Sequence, residues 1–273
     1  MPEGHTLHRL AGRLLDRFGG WPVRASSPQG KFSDGAALLD GQPMSGADAY
    51  GKHLFLGFEA VGWVHVHLGL YGKFTFGTGP APAPVGQVRL RLSGGRTADG
   101  HYADLRGPAR CELLTEPEKS AVCDRLGPDP LRADADPERA WARISRSRTT
   151  VAALLMDQKV VSGVGNVYRA EVLFRHGIDP YLPGRELDAA EWAAVWADLA
   201  ALMREGVRTG RIDTVRPEHT PEAMGRAPRE DDHGGEVYVY RRSGQPCHVC
   251  GTEIRSAEHA ARNLFWCPRC QGS

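Results

Sequence analysis

The first residues of the chain could supply a nucleophile. Pro2 follows Met1 and is itself followed by Glu3. Removal of Met1 is expected because proline is small, and the exposed secondary amine could attack an aldehyde-like carbon to form an iminium. An α-amino group titrates near ~7.7–8.0, and a helix beginning within a few residues would disfavour the ammonium further. Glu3 could then carry the proton, although a disposable tail is the ordinary interpretation of an N-terminus.

Four cysteines near the other end have the spacing of a metal site. Two C-x-x-C pairs are separated by sixteen residues, and they comprise Cys247, Cys250, Cys267 and Cys270. In a reducing compartment this pattern favours a tetrahedral zinc site over two disulfides. Four thiolates close the metal's coordination shell, so the single zinc ion is predicted to be structural.

Two further segments could bind phosphate. A turn containing Gly163, Gly165 and Asn166 lies between two predicted helices. Backbone N–H groups that point outward at a helix N-terminus would form an anion site there, whereas the ordinary alternative is a plain helix–helix turn. Arg262, just ahead of the second cysteine pair, is predicted at the tip of a rigid hairpin, where an arginine suits a phosphate oxygen.

The elements that must position these residues change in kind along the chain. Residues 6–18 are predicted to form a helix capped by Thr6, and residues 23–114 contain short alternating runs typical of a sandwich or barrel. After a proline-rich linker, helices are predicted over 141–155, 167–176 and 189–204. Residues 237–240 are predicted to be a short strand that leads into the zinc hairpin.

This order predicts an α+β protein with a cleft between its domains. The predicted divisions are a strand-rich domain over 1–126, a helical domain over 127–236 with a mobile loop at 209–236, and a metal-held hairpin over 237–273.

Composition narrows the class of protein. The chain has 273 residues, with 41% hydrophobic and 25% charged residues, as in ordinary globular proteins. No secretory leader and no apolar run of ~20 residues is visible, so a cytoplasmic protein without membrane contact is expected. The net charge of +1 and the pI of 7.7 argue neither for nor against a polyanionic partner.

Motifs from all of these regions resemble one family. They are Pro2-Glu3-Gly4, Gly51-Lys52-His53-Leu54, His67-Leu68-Gly69, the glycine–asparagine turn and the terminal cysteine pairs. In this order they are similar to the formamidopyrimidine-DNA glycosylase/endonuclease VIII family. The resemblance implies an N-terminal catalytic β-sandwich with flanking helices over 1–126, a DNA-binding helix–two-turn–helix domain over 127–236 and a zinc-finger β-hairpin over 237–273. It also implies a monomer that binds damaged DNA, and no protein partner is indicated.

The resemblance implies a role for each matched residue. Pro2 would attack C1′ of a damaged nucleotide flipped from the duplex, and Glu3 would handle protons at the sugar and base. The resulting Schiff base would allow β,δ-elimination, which cuts the strand on both sides of the lesion. Around the lesion, phosphate contacts are implied for Lys52, His67, Asn166 and Arg262, and more weakly for Lys159. Lys52 and Arg262 are counted with the catalytic group.

The same resemblance identifies a wedge and two departures. Leu70 and Tyr71 would fill the space that the flipped base leaves, and this Leu-Tyr pair favours the endonuclease VIII branch. Gly69 stands where that branch has a glutamine, and His5-Thr6 replace a frequent Pro-Glu. With fewer wedge groups, a relative preference for lesions in single-stranded or bubble DNA is predicted.

Four functions are therefore compared. The first is a bifunctional glycosylase/lyase for base excision repair that removes oxidised pyrimidines, and the second is an oxidised-purine enzyme of the same family. The third is a non-catalytic damage-binding protein, which has no need of Pro2, Glu3 and Lys52 together. A zinc-ribbon transcription or translation factor ranks last, because it explains only about the last thirty residues.

Overall fold

The computed structural model describes residues 2–97, 99–230 and 235–272. The chain divides into two compact units, residues 1–125 and 126–273. Met1, whose removal is predicted, lies outside the described residues, as do residues 231–234 of the predicted mobile loop. Among the described residues, none of the helices combines the length and the apolar composition that crossing a bilayer requires.

The first unit is built on two antiparallel four-stranded sheets. The strands are β1 (Val23–Ser26), β2 (Gly46–Tyr50), β3 (His53–Phe58), β4 (Gly62–His67), β5 (Lys73–Thr78), β6 (Val88–Gly94), β7 (His101–Arg106) and β8 (Arg110–Leu114). One sheet has the order β1-β6-β7-β5 and the other has the order β2-β3-β4-β8. The predicted β-sandwich and the α+β class are thereby confirmed.

Alternation along β4 shows why these residues form strands. Val64 and Val66 are buried in the core of the sandwich, whereas His65 and His67 lie on the opposite face of the same strand. Successive side chains of a strand point to opposite faces, so two valines suffice to place two histidines together. The outward face of this sheet therefore carries side chains that the sandwich core does not use.

Three helices flank the sheets. They are α1 (Gly4–Phe18), α2 (Ser33–Leu39) and α3 (Glu116–Cys123). Helix α1 contacts β2 and β3, and Leu7, Leu14 and Phe18 are fully buried. The predicted cap at Thr6 is wrong, because the helix already begins at Gly4 and its N-cap residue is Glu3. The Thr6 N–H instead donates to the Glu3 carbonyl at 2.9 Å, within the first turn.

The second unit contains helices and a two-stranded hairpin. Its elements are α4 (Pro137–Ile144), α5 (Val151–Met156), α6 (Asn166–Arg175), α7 (Ala189–Thr209), α8 (Pro221–Met224), β9 (Arg255–His259) and β10 (Arg262–Trp266), with 3-10 turns at Gly184–Glu186 and Pro217–His219. The predicted helix over 167–176 corresponds closely to α6, and the one over 189–204 corresponds to α7, which continues for another turn. Part of the predicted loop at 209–236 is thus a 3-10 turn followed by α8.

The single helix predicted over 141–155 is wrong. Helix α4 ends at Ile144, and Thr150 starts α5 anew by accepting a hydrogen bond from the Ala153 N–H. A threonine that caps a helix competes with continuation of the preceding one. The two short helices turn the chain where one long helix would have continued.

One continuous hydrophobic core joins the helices to the hairpin. Val167 and Phe174 of α6 belong to the same cluster of buried side chains as Leu264 and Phe265 of β10. Gln271, beyond the hairpin, is buried and donates from its amide to the Ile178 carbonyl at 2.9 Å. The hairpin is therefore packed on the helices and does not project alone.

The predicted strand at residues 237–240 is wrong, because a buried carboxylate takes the hydrogen bonds that a partner strand would have made. The Tyr238 N–H donates to Glu171 Oε2 at 2.7 Å, and those of Val239 and Tyr240 donate to Oε1 at 2.9 and 2.8 Å. The Thr214 hydroxyl donates to Oε2 as well, at 2.6 Å. Glu171 is fully buried in α6, so one side chain substitutes for a strand edge.

Replacing Glu171 by glutamine is expected to lower the free energy of unfolding by about 3 kcal/mol, because the NH2 group that replaces one carboxylate oxygen would face a backbone N–H and cannot accept from it. Urea denaturation measures the change. Glu222→Gln, on the exposed face of α8, serves as the matched control and should stay within about 0.5 kcal/mol of the parent protein. Equal stability of the two variants would contradict the anchoring role of Glu171.

Candidate active site and metal centre

The proposed nucleophile precedes a helix N-terminus. Pro2 is half-buried, and the side chain of Glu3 is fully buried at the N-cap position of α1. The partial positive charge at a helix N-terminus stabilises a carboxylate and disfavours an ammonium group. This placement therefore favours a neutral amine at Pro2 and puts a carboxyl group directly after it.

Lys52 and His67 come together at one end of the sheet that contains β3 and β4. Lys52 lies in the turn between β2 and β3, and His67 is the last residue of β4. Burial lowers the pKa of His67, and the proximity of His65, Lys52 and Arg110 lowers it further. At neutral pH His67 is thus an uncharged N–H donor, and Lys52 supplies the positive charge.

The predicted wedge is exposed. Leu70 and Tyr71 lie in the turn between β4 and β5, where 50% and 86% of their surfaces are exposed. Large apolar side chains that the fold itself does not bury are available to a ligand.

The backbone conformation explains why residue 69, just before the wedge, is a glycine. The φ angle of Gly69 is +68°, and an added Cβ would lie 2.8 Å from Ala109 Cβ. Both the left-handed backbone and the close approach exclude a side chain without strain. Glycine therefore shapes this turn, and a glutamine at the same position would require another loop conformation.

The glycine–asparagine turn differs from the expected arrangement in one respect. The Gly163 N–H does not point outward, because it donates to Gln158 Oε1 at 3.0 Å. The Gln158 amide also donates to the Val164 carbonyl at 2.9 Å. Gly163 contributes its φ of +84° to the turn, and Gln158, which the sequence reasoning missed, holds the turn closed. A lone glutamine ahead of an apolar run was the only signal available.

Asn166 is buried and connects the turn to the hairpin. Its side-chain amide donates to the Asn263 carbonyl at 2.9 Å, and Arg169 donates to the Asn166 side-chain oxygen and, at 3.1 Å, to the same carbonyl. A phosphate contact by Asn166 would use the second hydrogen of its amide. Gly165 is the N-cap residue of α6.

Arg262 and Lys159 are exposed. Arg262 is the first residue of β10 and pairs with His259 across the hairpin. The two alanines between them, residues 260 and 261, both have positive φ values, 50° and 58°, as in a tight type I′ hairpin turn. Arg262 thus lies at the tip of the hairpin, next to Asn263, the residue that Asn166 binds.

A further hydrogen bond connects β9 of this hairpin to the N-terminus of α5. His259 Nε2 lies 2.7 Å from the Thr150 hydroxyl, at the N-terminus of α5. The tip is therefore held both through Asn166 of α6 and through the cap of α5.

The four paired cysteines form a metal centre. Their sulfur atoms all lie within 4.8 Å of one another, with 3.9 Å between Cys247 and Cys270 and 3.5 Å between Cys250 and Cys267. A tetrahedron with Zn–S bonds of ~2.3 Å places its sulfurs ~3.8 Å apart, whereas a disulfide needs ~2.05 Å. Backbone N–H groups of Val249 and Cys270 point at the sulfurs of Cys247 and Cys267. The donor set and the spacing fit one structural zinc ion.

Family models match the chain in three successive parts. The formamidopyrimidine-DNA glycosylase N-terminal domain matches residues 1–111, and the H2TH domain of the same family matches residues 126–217. A zinc finger found in FPG and IleRS matches residues 244–272.

Relatives and solved structures agree with these matches. "Endonuclease 8 1" of Mycobacterium bovis is 52% identical, with 99% of this chain and all of that protein covered. The formamidopyrimidine-DNA glycosylase of Serratia proteamaculans is 31% identical, with 92% and 87% covered. The fold is similar to that of Lactococcus lactis Fpg in a complex with abasic-site DNA, with a TM-score of 0.78, 23% identity and coverage of 99% and 100%.

This one chain contains the buried acid after Pro2, the helical unit with its glycine–asparagine turn and the four-cysteine hairpin. The matches span nearly all of the chain. The chain belongs to the formamidopyrimidine-DNA glycosylase/endonuclease VIII family of bifunctional DNA glycosylase/AP lyases.

Proposed function

We propose that this base-excision-repair glycosylase removes oxidised bases, with pyrimidines favoured, through a Schiff base at Pro2. The observation that carries the proposal is the fully buried Glu3 carboxylate at the N-terminus of α1, directly after Pro2. The greater similarity to a protein named endonuclease 8 than to one named formamidopyrimidine-DNA glycosylase supports the pyrimidine preference.

The chemistry follows from a neutral secondary amine beside a carboxylate. The Pro2 nitrogen bonds to C1′ as the glycosidic bond breaks, and the departing base keeps the electron pair and gains a proton. Opening of the sugar ring leaves an iminium between the Pro2 nitrogen and C1′. The iminium acidifies the 2′ hydrogen, so β-elimination breaks the 3′ C–O bond and δ-elimination then breaks the 5′ C–O bond. Glu3 is positioned to relay protons in these steps.

Access to C1′ requires that the nucleotide leave the base stack, at a cost of about a few kcal/mol. Contacts to the phosphates around the lesion would offset this cost. In the first unit Lys52 and His67 are proposed to make them, and in the second unit Asn166 and Arg262, with Lys159 and the turn at Gly163 and Gly165 as further candidates. The protein is proposed to act as a monomer in the cytoplasm.

A lesion panel tests the proposal. Thymine glycol and 8-oxoguanine are presented separately, and borohydride is added with abasic DNA to trap a covalent adduct, while mass spectrometry establishes that Met1 is absent. Faster cleavage of thymine glycol is expected. Faster cleavage of 8-oxoguanine would instead indicate the oxidised-purine enzyme, and DNA binding without any trapped adduct would indicate a non-catalytic damage-binding protein.

The exposed wedge gives a prediction about the form of the DNA. Because Gly69 supplies no side chain to the wedge, lesions in single-stranded or bubble DNA should be cleaved faster than lesions in paired duplex. Tyr71→Ala should slow cleavage in duplex by about tenfold, since stacking of an aromatic ring on a base is worth about 1–3 kcal/mol. The same variant should slow single-strand cleavage less. Single-turnover rates on the two forms of one lesion measure both effects.

Val85→Ala is the control for the wedge, because Val85 is an exposed apolar side chain in another loop of the same unit. It should cleave both forms of DNA at the parent rate. Equal or faster cleavage in paired duplex by the parent protein would refute the preference.

A further inference from the structure

A row of rings lies on the outward face of the sheet that contains β3 and β4. Phe55, His65, His53 and His67 follow one another with centroid separations of 5.0, 5.0 and 5.1 Å. Only 2% of His65 is exposed. These four rings are not part of the hydrophobic core between the two sheets. Packing of the sheets against each other therefore does not account for their arrangement.

Two hydrogen bonds determine which nitrogen atoms carry protons. Glu112 Oε1 lies 3.0 Å from His65 Nδ1, and His65 Nε2 lies 2.8 Å from His53 Nδ1. A carboxylate only accepts, so His65 Nδ1 carries the hydrogen, and the Nε2 atom of a neutral His65 must accept. His53 Nδ1 is then the donor in the second bond. Both rings are thereby held in the Nδ1–H tautomer.

The surroundings keep both rings neutral. Burial, followed by the proximity of His65, His67, Arg110 and Arg125, lowers the pKa of His53 to about 3. Burial also lowers the pKa of His65, although Glu112 opposes it. Two cationic side chains also lie on this face. Arg110 of β8 pairs with Glu112 at 3.4 Å, and Lys119 of α3 lies over the Phe55 ring.

The row ends at the proposed phosphate contacts. His53 follows Lys52 in the chain and is directly opposite His67 in the β3–β4 pairing. We propose that Glu112, His65 and His53 are positioning residues: their hydrogen-bonded chain fixes the His53 ring, which holds the His67 imidazole where it can donate to a phosphate oxygen. This inference rests on the proposed function, in which His67 and Lys52 contact DNA.

Three variants distinguish a positioning role of these hydrogen-bonded residues from a role in packing alone. Glu112→Leu removes the acceptor, and His65→Phe keeps a ring beside Phe55 but removes both hydrogen bonds. Glu112→Gln retains a carbonyl oxygen that can accept from His65 Nδ1, so it should restore the parent behaviour. Glu59→Gln, an exposed acid just beyond β3, is the matched control.

The first readout is the tautomeric state, measured in the DNA-free protein from imidazole ¹⁵N shifts. The parent protein, Glu112→Gln and Glu59→Gln should show Nδ1–H at both His53 and His65, and Glu112→Leu should lose it. Nε2–H tautomers at these residues in the parent protein, or unchanged tautomers in Glu112→Leu, would overturn the inference, whatever the protein does to DNA.

The second readout is binding to duplex DNA with a tetrahydrofuran abasic analogue, together with the single-turnover rate on a natural abasic site. Glu112→Leu and His65→Phe should each raise Kd about fivefold, which corresponds to the loss of the proposed hydrogen bond from His67 to the phosphate. The rate at saturating enzyme should change less than about twofold. Unchanged Kd in both variants, while His67→Ala weakens binding, would overturn the positioning role alone. Unchanged Kd in His67→Ala and Lys52→Ala would instead refute the phosphate contacts of the proposed function, and the positioning role with them.

Discussion

Pro2→Gly is expected to lower the yield of borohydride-trapped enzyme–DNA adduct by about 100-fold or more, the range over which a catalytic group commonly acts. Glycine offers a primary amine on a freely rotating backbone, whereas the proline ring fixes the direction of the lone pair. Adduct formation with abasic DNA, resolved on a denaturing gel, measures the change. Kd for a tetrahydrofuran site should stay within about threefold, because the phosphate contacts proposed above lie on other elements.

Pro84→Gly is the control for this experiment, since Pro84 lies in an exposed loop of the same unit. It should trap DNA as well as the parent protein does. An undiminished adduct in Pro2→Gly would show that another amine attacks the sugar, and the proposed mechanism would then be wrong.

Loss of the zinc ion is expected to have the second large effect. Cys267→Ser removes a fully buried ligand, and structural zinc contributes about 10–16 kcal/mol of apparent binding free energy in isolated fingers. Since β10 shares its core with α6, the thermal midpoint should fall and Arg262 and Asn166 should both lose their positions. The loss of these two proposed phosphate contacts predicts about a 100-fold weaker Kd for DNA.

Metal analysis, calorimetry and a DNA-binding titration together check this prediction. Cys123→Ser is the matched control, because Cys123 lies in α3 and outside the four-cysteine cluster. It should retain one zinc ion and the parent Kd. A Cys267→Ser protein that lacks zinc but binds DNA as tightly as the parent protein would separate the metal from the proposed DNA contacts.

The parts of the fold that depend on local pattern were predictable. Alternating valines in β4 and the spacing of the cysteine pairs are visible in a few residues, and both the sandwich and the metal centre followed from them. The division of the chain into three domains remains a proposal, as do the roles of the individual site residues.

The wrong prediction of a strand has a different physical origin, because it depends on a partner that is distant in sequence. Residues 237–240 have the composition of a strand, but Glu171, 67 residues before Tyr238, takes up their N–H groups. Gly163 lies in a turn as expected, but its N–H donates to the side-chain oxygen of Gln158, a contact that is close in sequence and depends on how the turn folds. Glu112, the partner of His65, likewise lies 47 residues later in the chain, and neither residue was identified from the sequence. No local periodicity carries such information.

The Glu171 carboxylate has a consequence for how this protein can diversify. It accepts hydrogen bonds from the Thr214 hydroxyl and from the Tyr238 N–H, so it holds both ends of the intervening stretch. Natural variants could therefore lengthen or shorten this stretch, and alter what it touches, while the zinc hairpin stays in register with α6.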